Sequence, residues 1–238
     1  MHNNLEKIKS YESPPKVIKD FIDPKEISQF LKLYEKLPVT VNNLKQNVIK
    51  KRWLDGFGKE LEILFKERLE SIIGNFKMDN FTTEDKKECF GLFQESYNPI
   101  KLHVDAGFNL KDFIYKQTLL PLSDHGETVI FKNKFYGIST SFTKDQKELL
   151  ENNSENYKTG KNDRSNQHLK MFSGESFNKD DYEKYLKHED FENLKGLEIE
   201  YIYEWKLGDL FIFDRAHLHC SSCNIRDKKI GLATFTKK

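Results

Sequence analysis

The chain has 238 residues, 37% hydrophobic and 32% charged, and its 39 Lys and Arg nearly balance 38 Asp and Glu, for a net charge of +1. That length suits one domain, 1–238, with a sizeable core; the balanced charge gives no basic field, so neither nucleic acid nor an anionic membrane is expected as a partner. No apolar run is long enough to span a bilayer, MHNNLEKIKS lacks the apolar stretch of a signal peptide, and only three cysteines occur (Cys89, Cys220, Cys223), which together lead us to expect a reducing cytoplasm.

In chain order, an N-terminal unit of one strand and helices is expected over about 15–80. KVIKDFI (16–22) reads as a short strand. Asp23-Pro24 then opens a helix, with Asp23 as N-cap, Pro24 in the first turn and Glu26 three residues after the cap. Ile27, Phe30, Leu31 and Tyr34 follow at helical spacing, and a second helix is expected over roughly 56–75, with Leu61, Leu64, Phe65, Leu69, Ile72 and Ile73 on one face.

From about residue 88 the pattern turns to short β-type runs. CFGLFQESY, IKLHVDAGF, DFIYKQTLLPL and ETVIFKN are separated by Asn-Pro, Gly, Asp and Ser, and strands resume in GLEIEYIYEW, GDLFIFD and KIGLATFT. Between them, about 140–197 reads as a polar and helical insertion, with its histidines His168 and His188 in solvent. Strands that do not alternate with helices predict an antiparallel sandwich or barrel rather than a parallel sheet.

KLHVDAGF (101–108) places His103 and Asp105 two apart, so on a strand both project from one face beside a small-residue turn at Ala106-Gly107. A hydrogen-bonded His–Asp pair at a strand end would explain this alone. A partner lies far downstream in WKLGDLFIFDRAHLHCSSCN (205–224), where His217 and His219 share strand parity. Two histidines and a carboxylate on one face make a triad of the kind that holds Fe(II) and leaves positions open. HLHCSSC also contains two His and a CxxC, the residue types of a structural zinc site.

The succession KVIKDFIDPKEISQF, LHVDAG, LLPLSDHGETVIF, GDLFIFDRAHLHCSSCN and KKIGLATF resembles the Fe(II)/2-oxoglutarate-dependent oxygenases, nearest their phytanoyl-CoA-dioxygenase-like or prolyl-hydroxylase-like branches. The resemblance implies a mainly β fold with N-terminal α-helices, a double-stranded β-helix (jelly roll) over 88–238, and the insertion lying across its mouth as a lid. It implies Fe(II) held by His103, Asp105 and His219, with His217 as the competing ligand. Asn224, five positions after His219, matches the family's habit. It implies 2-oxoglutarate as cosubstrate and O2 as oxidant. Lys229, ten positions after His219, is then the cation for the far carboxylate, with Lys228 and Arg226 as rivals, and Tyr97, Gln117 and Thr128 as further contacts.

An aspartate at 105 implies hydroxylation, with demethylation as a variant, of a polar small molecule, amino acid or peptide. Arg215 is a candidate for a substrate carboxylate or for pairing with an acid, and His125 is a loop residue or a substrate contact. The alternative of another class is a non-catalytic, cupin-like jelly-roll binding domain with HLHCSSC as a small metal-binding element. Nothing in the sequence fixes the oligomeric state.

Overall fold

The computed structural model describes residues 2–44, 47–82, 86–105, 113–137, 140–145, 147, 149 and 164–238. A first helix, α1 (His2–Lys9), was not expected from the sequence. β1 (Lys16–Ile18) leads into α2 (Pro24–Lys36). At its start the Asp23 carboxylate accepts the Glu26 N–H at 2.8 Å and Glu26 accepts the Asp23 N–H at 2.9 Å, a complete capping box. Strands β2 (Val41–Asn43) and β3 (Val48–Leu54), also not expected, precede α3 (Lys59–Ile73). Then come β4 (Lys77–Met78), β5 (Phe81–Thr82), β6 (Glu88–Ser96), β7 (Ile114–Pro121), β8 (Glu127–Lys134), β9 (Ser141–Phe142), β10 (Arg164–Ser165), β11 (Ile199–Glu204), β12 (Leu210–Asp214), β13 (His217–Ser221) and β14 (Lys229–Lys237).

The strands form a nine-stranded sheet in the order β1-β12-β7-β14-β6-β3-β2, with β4 on β14 and β5 on β6, and a three-stranded sheet β11-β8-β13. Every pairing in these two sheets is antiparallel, as expected, while β9 and β10 pair in parallel. Among the described residues no helix is long and apolar enough to cross a membrane.

Strand alternation explains the layers. In LFIFD, Leu210 and Ile212 join Phe30, Phe65, Leu69, Trp53, Phe93, Leu120 and Leu232 in a core between α2, α3 and the large sheet. Phe211 and Phe213 point the other way, to Ile130, Tyr203 and Trp205 between the two sheets. The strand reads as an unbroken apolar run because both faces are covered. The small sheet repeats the pattern: Ile130 faces inward, while Val129, Phe131, Leu218 and Cys220 face a third core.

That third core overturns the expectation that the histidines of the insertion lie in solvent. Phe177, Leu186, Leu194 and Leu197 of the insertion pack into it against Phe142, Leu102 and Val104. Residues 164–197 of the insertion therefore contribute an outer layer on the small sheet; residues 146, 148 and 150–163 of it lie outside the described residues. His168 is fully buried against Phe142, its Nε2 2.9 Å from the Asn193 carbonyl, and the His188 side chain is 12% exposed, so neither is freely in solvent. Desolvation pushes the His188 imidazole down to about 4. Leu194→Ala is expected to destabilise the protein by about 2–5 kcal/mol, the usual range for a buried leucine truncation, whereas a peripheral lid residue would shift the denaturation midpoint little.

Candidate metal centre

The segment 101–105 is drawn between the sheets by the same alternation. Leu102 and Val104 are buried in the outer core, so His103 and Asp105 turn inward. His103 and His219 exchange backbone hydrogen bonds, each N–H donating to the other's carbonyl at 3.0 Å. Two ligand positions more than a hundred residues apart thus become a directly opposed antiparallel pair, with ring centroids 4.1 Å apart. Asp105 Oδ2 lies 3.3 Å from His219 Nε2 and 3.8 Å from His103 Nε2. One ligand atom from each of the three falls within 4.8 Å of the others, and among the described residues this is the one group of three or more His, Cys, Asp or Glu so disposed. The Ala106-Gly107 turn lies outside the described residues.

Both imidazoles are held by their other nitrogen. His103 Nδ1 is 2.7 Å from the Lys101 carbonyl, and His219 Nδ1 is 2.9 Å from the His217 carbonyl. A carbonyl only accepts, so each Nδ1 carries the hydrogen and each Nε2 faces Asp105 as the nitrogen left to ligate a metal. Burial, reinforced by the neighbouring His219, pushes His103 down to about 4, so it is neutral at pH 7. Burial opposes charge on Asp105, but the two histidines outweigh it and hold the carboxyl well below the usual carboxylate range. Two imidazoles and one carboxylate are a donor set suited to a divalent first-row metal.

A supporting shell fixes the triad. Gln117 on β7 donates from Nε2 to Asp105 Oδ2 at 2.5 Å. The buried Arg215 donates to the Asp105 carbonyl at 3.3 Å and to Asp79 at 2.7 Å, so it meets an acid, as one of its two readings had it. Glu189, from the insertion, accepts the Leu102 N–H at 2.5 Å, and Phe213 stands edge-on to His219. Sequence reasoning missed Glu189, because nothing in KHEDF marks one acid as buried. Gln117→Leu is expected to weaken divalent metal binding by about 10–100-fold while the protein stays folded, which anaerobic titration checks beside circular dichroism.

His217 goes elsewhere. Its Nδ1 is 2.7 Å from the Phe131 carbonyl and its Nε2 is 3.7 Å from Asp214, on a buried cluster with Lys116 and Lys134. The register of β13 on β8 shifts between His217 and His219, which separates two side chains of equal parity. Cys220 and Cys223 do not join any such group among the described residues: Cys220 points into the outer core and Cys223 Sγ lies 3.7 Å from the Lys184 carbonyl. HLHCSSC therefore forms no closed zinc site.

Lys229 is 1% exposed, while Lys228 and Arg226 are exposed. Its ammonium stands 3.8 Å over the Trp205 ring and makes one long hydrogen bond, 3.4 Å, to the Glu127 carbonyl. Thr128 accepts from Trp205 Nε1 at 2.8 Å, so it positions the ring beneath the lysine. Two glycines make the space: a Cβ at Gly126, which has a positive φ of 76°, would lie 3.2 Å from Lys229 Nζ, and one at Gly231 would lie 2.6 Å from the Trp205 ring. Desolvation pushes the Lys229 amine down to about 7.

Tyr97 is not brought to this interior. It is 37% exposed and donates to Glu95 at 2.6 Å, a residue that also accepts from Tyr34 of α2. Glu95 shares its face of β6 with Phe93, the helix side. His125 Nε2 lies 3.2 Å from the Asp227 carbonyl at the surface, and Asn224 donates to the Glu127 carboxylate at 3.1 Å.

No family model and no curated protein matches this sequence. Solved structures do. The non-haem α-ketoglutarate-dependent carbocyclase SnoK from nogalamycin biosynthesis superimposes with a TM-score of 0.51 at 10% identity, over 98% of this chain and 83% of that one. HygX from Streptomyces hygroscopicus, solved with nickel and 2-oxoglutarate bound, gives 0.50 at 12% identity over 100% and 87%. The viral collagen prolyl hydroxylase of Paramecium Bursaria Chlorella virus-1, solved as its 2-oxoglutarate complex, gives 0.50 at 10% identity over 94% and 96%. The chain thus has the mainly antiparallel β fold found in 2-oxoglutarate–Fe(II) oxygenases. Its own His-Asp-His group is buried at His219 and half-buried at His103 and Asp105.

Proposed function

We propose that the chain is a single-domain, non-haem Fe(II)- and 2-oxoglutarate-dependent oxygenase built on a double-stranded β-helix, which hydroxylates a C–H bond of a polar small molecule, amino acid or peptide. The observation that carries this reading is the convergence of His103, Asp105 and His219, each aimed by its own hydrogen bonds, in a fold shared with such enzymes. His103, Asp105 and His219 would hold the metal by Nε2, a carboxylate oxygen and Nε2. With 2-oxoglutarate and O2 bound, the metal would supply the oxidising chemistry, with release of succinate and CO2.

The remaining roles belong to the protein. Lys229 offers a cation with spare hydrogen-bonding capacity to the far carboxylate of 2-oxoglutarate, and the Trp205 ring keeps water from it. As a lysine it supplies charge without the two-pronged geometry of arginine. Gln117 steadies Asp105, and Thr128 acts through Trp205 rather than on the cosubstrate. Phe211 and Phe213 wall the interior against solvent.

The test is anaerobic Fe(II) binding followed by oxygen and an assay for succinate. Succinate release is expected only with Fe(II) and 2-oxoglutarate together, and chelation should stop it. Metal binding without succinate release under any condition would instead favour a non-catalytic binding domain.

A further inference from the structure

We propose that Glu189 of the insertion is a positioning residue for the metal ligand His103: through the peptide group that joins Lys101 to Leu102, its carboxylate fixes and polarises the carbonyl that holds His103 Nδ1. This deepens the oxygenase reading above and rests on its metal centre.

Leu102 and Val104 turn their backbone groups to the side away from His219. There the Val104 N–H donates to the Thr140 carbonyl at 2.8 Å, and the Phe142 N–H donates to the Leu102 carbonyl at 3.1 Å, around the bridged pair His103 and Ser141. A regular antiparallel ladder would continue with the Leu102 N–H on the Phe142 carbonyl. Two side chains of the insertion stand there instead. Glu189 Oε1 takes the Leu102 N–H at 2.5 Å, and Asn193 Nδ2 donates to the Phe142 carbonyl at 3.3 Å and to Glu189 Oε2 at 3.4 Å.

The Leu102 N–H and the Lys101 carbonyl belong to one planar peptide group and point in opposite directions. That group is therefore gripped at both ends, by Glu189 on its N–H and by His103 Nδ1, 2.7 Å from its carbonyl oxygen. A charged acceptor on the N–H draws electron density toward the carbonyl oxygen. The carbonyl then holds the imidazole N–H more firmly, and Nε2 becomes a better donor to a metal. The arrangement is a carboxylate–histidine pair with a peptide group between the two.

Burial strengthens this effect. The Glu189 side chain is 1% exposed, and both of its oxygens face donors, the arrangement of the ionised form, which only accepts. Its main chain is held as well: the Glu189 N–H donates to the Leu186 carbonyl at 2.8 Å, and its carbonyl accepts the Tyr182 hydroxyl at 3.1 Å. A buried carboxylate is a costlier acceptor for the Leu102 N–H than the backbone carbonyl of a continued ladder. The peptide group that it grips is the one that aims a metal ligand, and there a negative charge has an effect that a neutral carbonyl lacks.

The experiment uses the full chain. Titration with Co(II) reads metal affinity, and magnetic resonance of the Zn(II)-loaded protein with isotope-labelled histidine reads each imidazole N–H proton. Glu189→Ala should weaken Co(II) binding by about 10–100-fold, as for other outer partners of a metal ligand. Glu189→Gln keeps the shape and an acceptor but loses the charge. Its Co(II) affinity should fall between those of Glu189→Ala and the wild type, and its His103 Nδ1–H resonance should move upfield while that of His219 stays. Leu194→Ala loosens the same layer but leaves the carboxylate in place, so both readouts should stay unmoved once corrected for the folded fraction. An unmoved His103 resonance in Glu189→Gln, or equal losses of Co(II) affinity in Glu189→Ala and Leu194→Ala, would overturn the proposal. Failure of the oxygenase reading looks different: a wild type that binds metal but releases no succinate with Fe(II), 2-oxoglutarate and O2.

Discussion

Asp105→Ala is expected to cost more than about a hundredfold in divalent metal affinity and to reduce Fe(II)-dependent succinate release to background. Loss of an outer partner of a metal ligand typically costs 10–100-fold, and loss of the ligand itself should exceed that. Asp105 is the one carboxylate of the triad, and both Nε2 atoms aim at it from 3.3 and 3.8 Å. Its removal also frees the Gln117 amide, whose carbonyl oxygen already lacks a hydrogen bond among the described residues. His217→Ala is the contrasting variant. It should leave metal affinity within about twofold and lower stability instead, because His217 meets Phe131 and Asp214. Isothermal titration with Fe(II) or Co(II) under nitrogen separates the two. Equal metal affinity in Asp105→Ala and the wild type would remove the triad from the proposed function.

Lys229→Ala is expected to raise the Michaelis constant for 2-oxoglutarate by about one to two decades with metal affinity little changed. A charge-assisted hydrogen bond in a buried site is worth roughly 1.5–3 kcal/mol, and about 1.4 kcal/mol is a decade. Lys229 is 1% exposed, so solvent screening discounts this little. The pH dependence follows from the same burial. The amine lies near 7 before the cosubstrate binds, against an ordinary 10.5, and the bound carboxylate favours its charged form. Binding therefore takes up a proton above pH 7, and 2-oxoglutarate affinity should fall as pH rises from 7 to 9, by at most about tenfold per unit. In Lys229→Ala that slope should vanish. Lys229→Met should also raise the melting temperature of the metal-free protein, since it replaces a weakly matched buried cation by an apolar side chain of similar length. An unchanged Michaelis constant for 2-oxoglutarate in Lys229→Ala would take the residue out of the site.

Much of the site was legible because it depends on local chemistry. His103 and Asp105 had to share a face on any extended backbone, and the alternation with Leu102 and Val104 decides that this face is inward. Asp23-Pro24-x-Glu26 had to cap a helix, since each side chain satisfies the other's backbone N–H. Tyr97 shows the limit. ECFGLFQES is apolar on both faces, so its alternation could not say which face met the helices and which the interior. The insertion shows another limit: Phe177, Leu186, Leu194 and Leu197 are spaced irregularly among charges, with no period to mark a buried face.

The sequence by itself determined the residue types of the candidate centre, the β character after residue 88, and the parity that pairs His103 with Asp105 and sets Lys229 against Ile230. Those are properties of short backbone segments. Only the tertiary structure decided between His217 and His219, because both satisfy parity and a register shift against β8 parts them. It alone buried Lys229 while leaving Lys228 and Arg226 in water, and it alone brought Arg215 and Glu189 toward the ligand segment. These choices depend on which strands become neighbours. That is set by the burial of both sheets' apolar faces over long sequence separations, which no local pattern records.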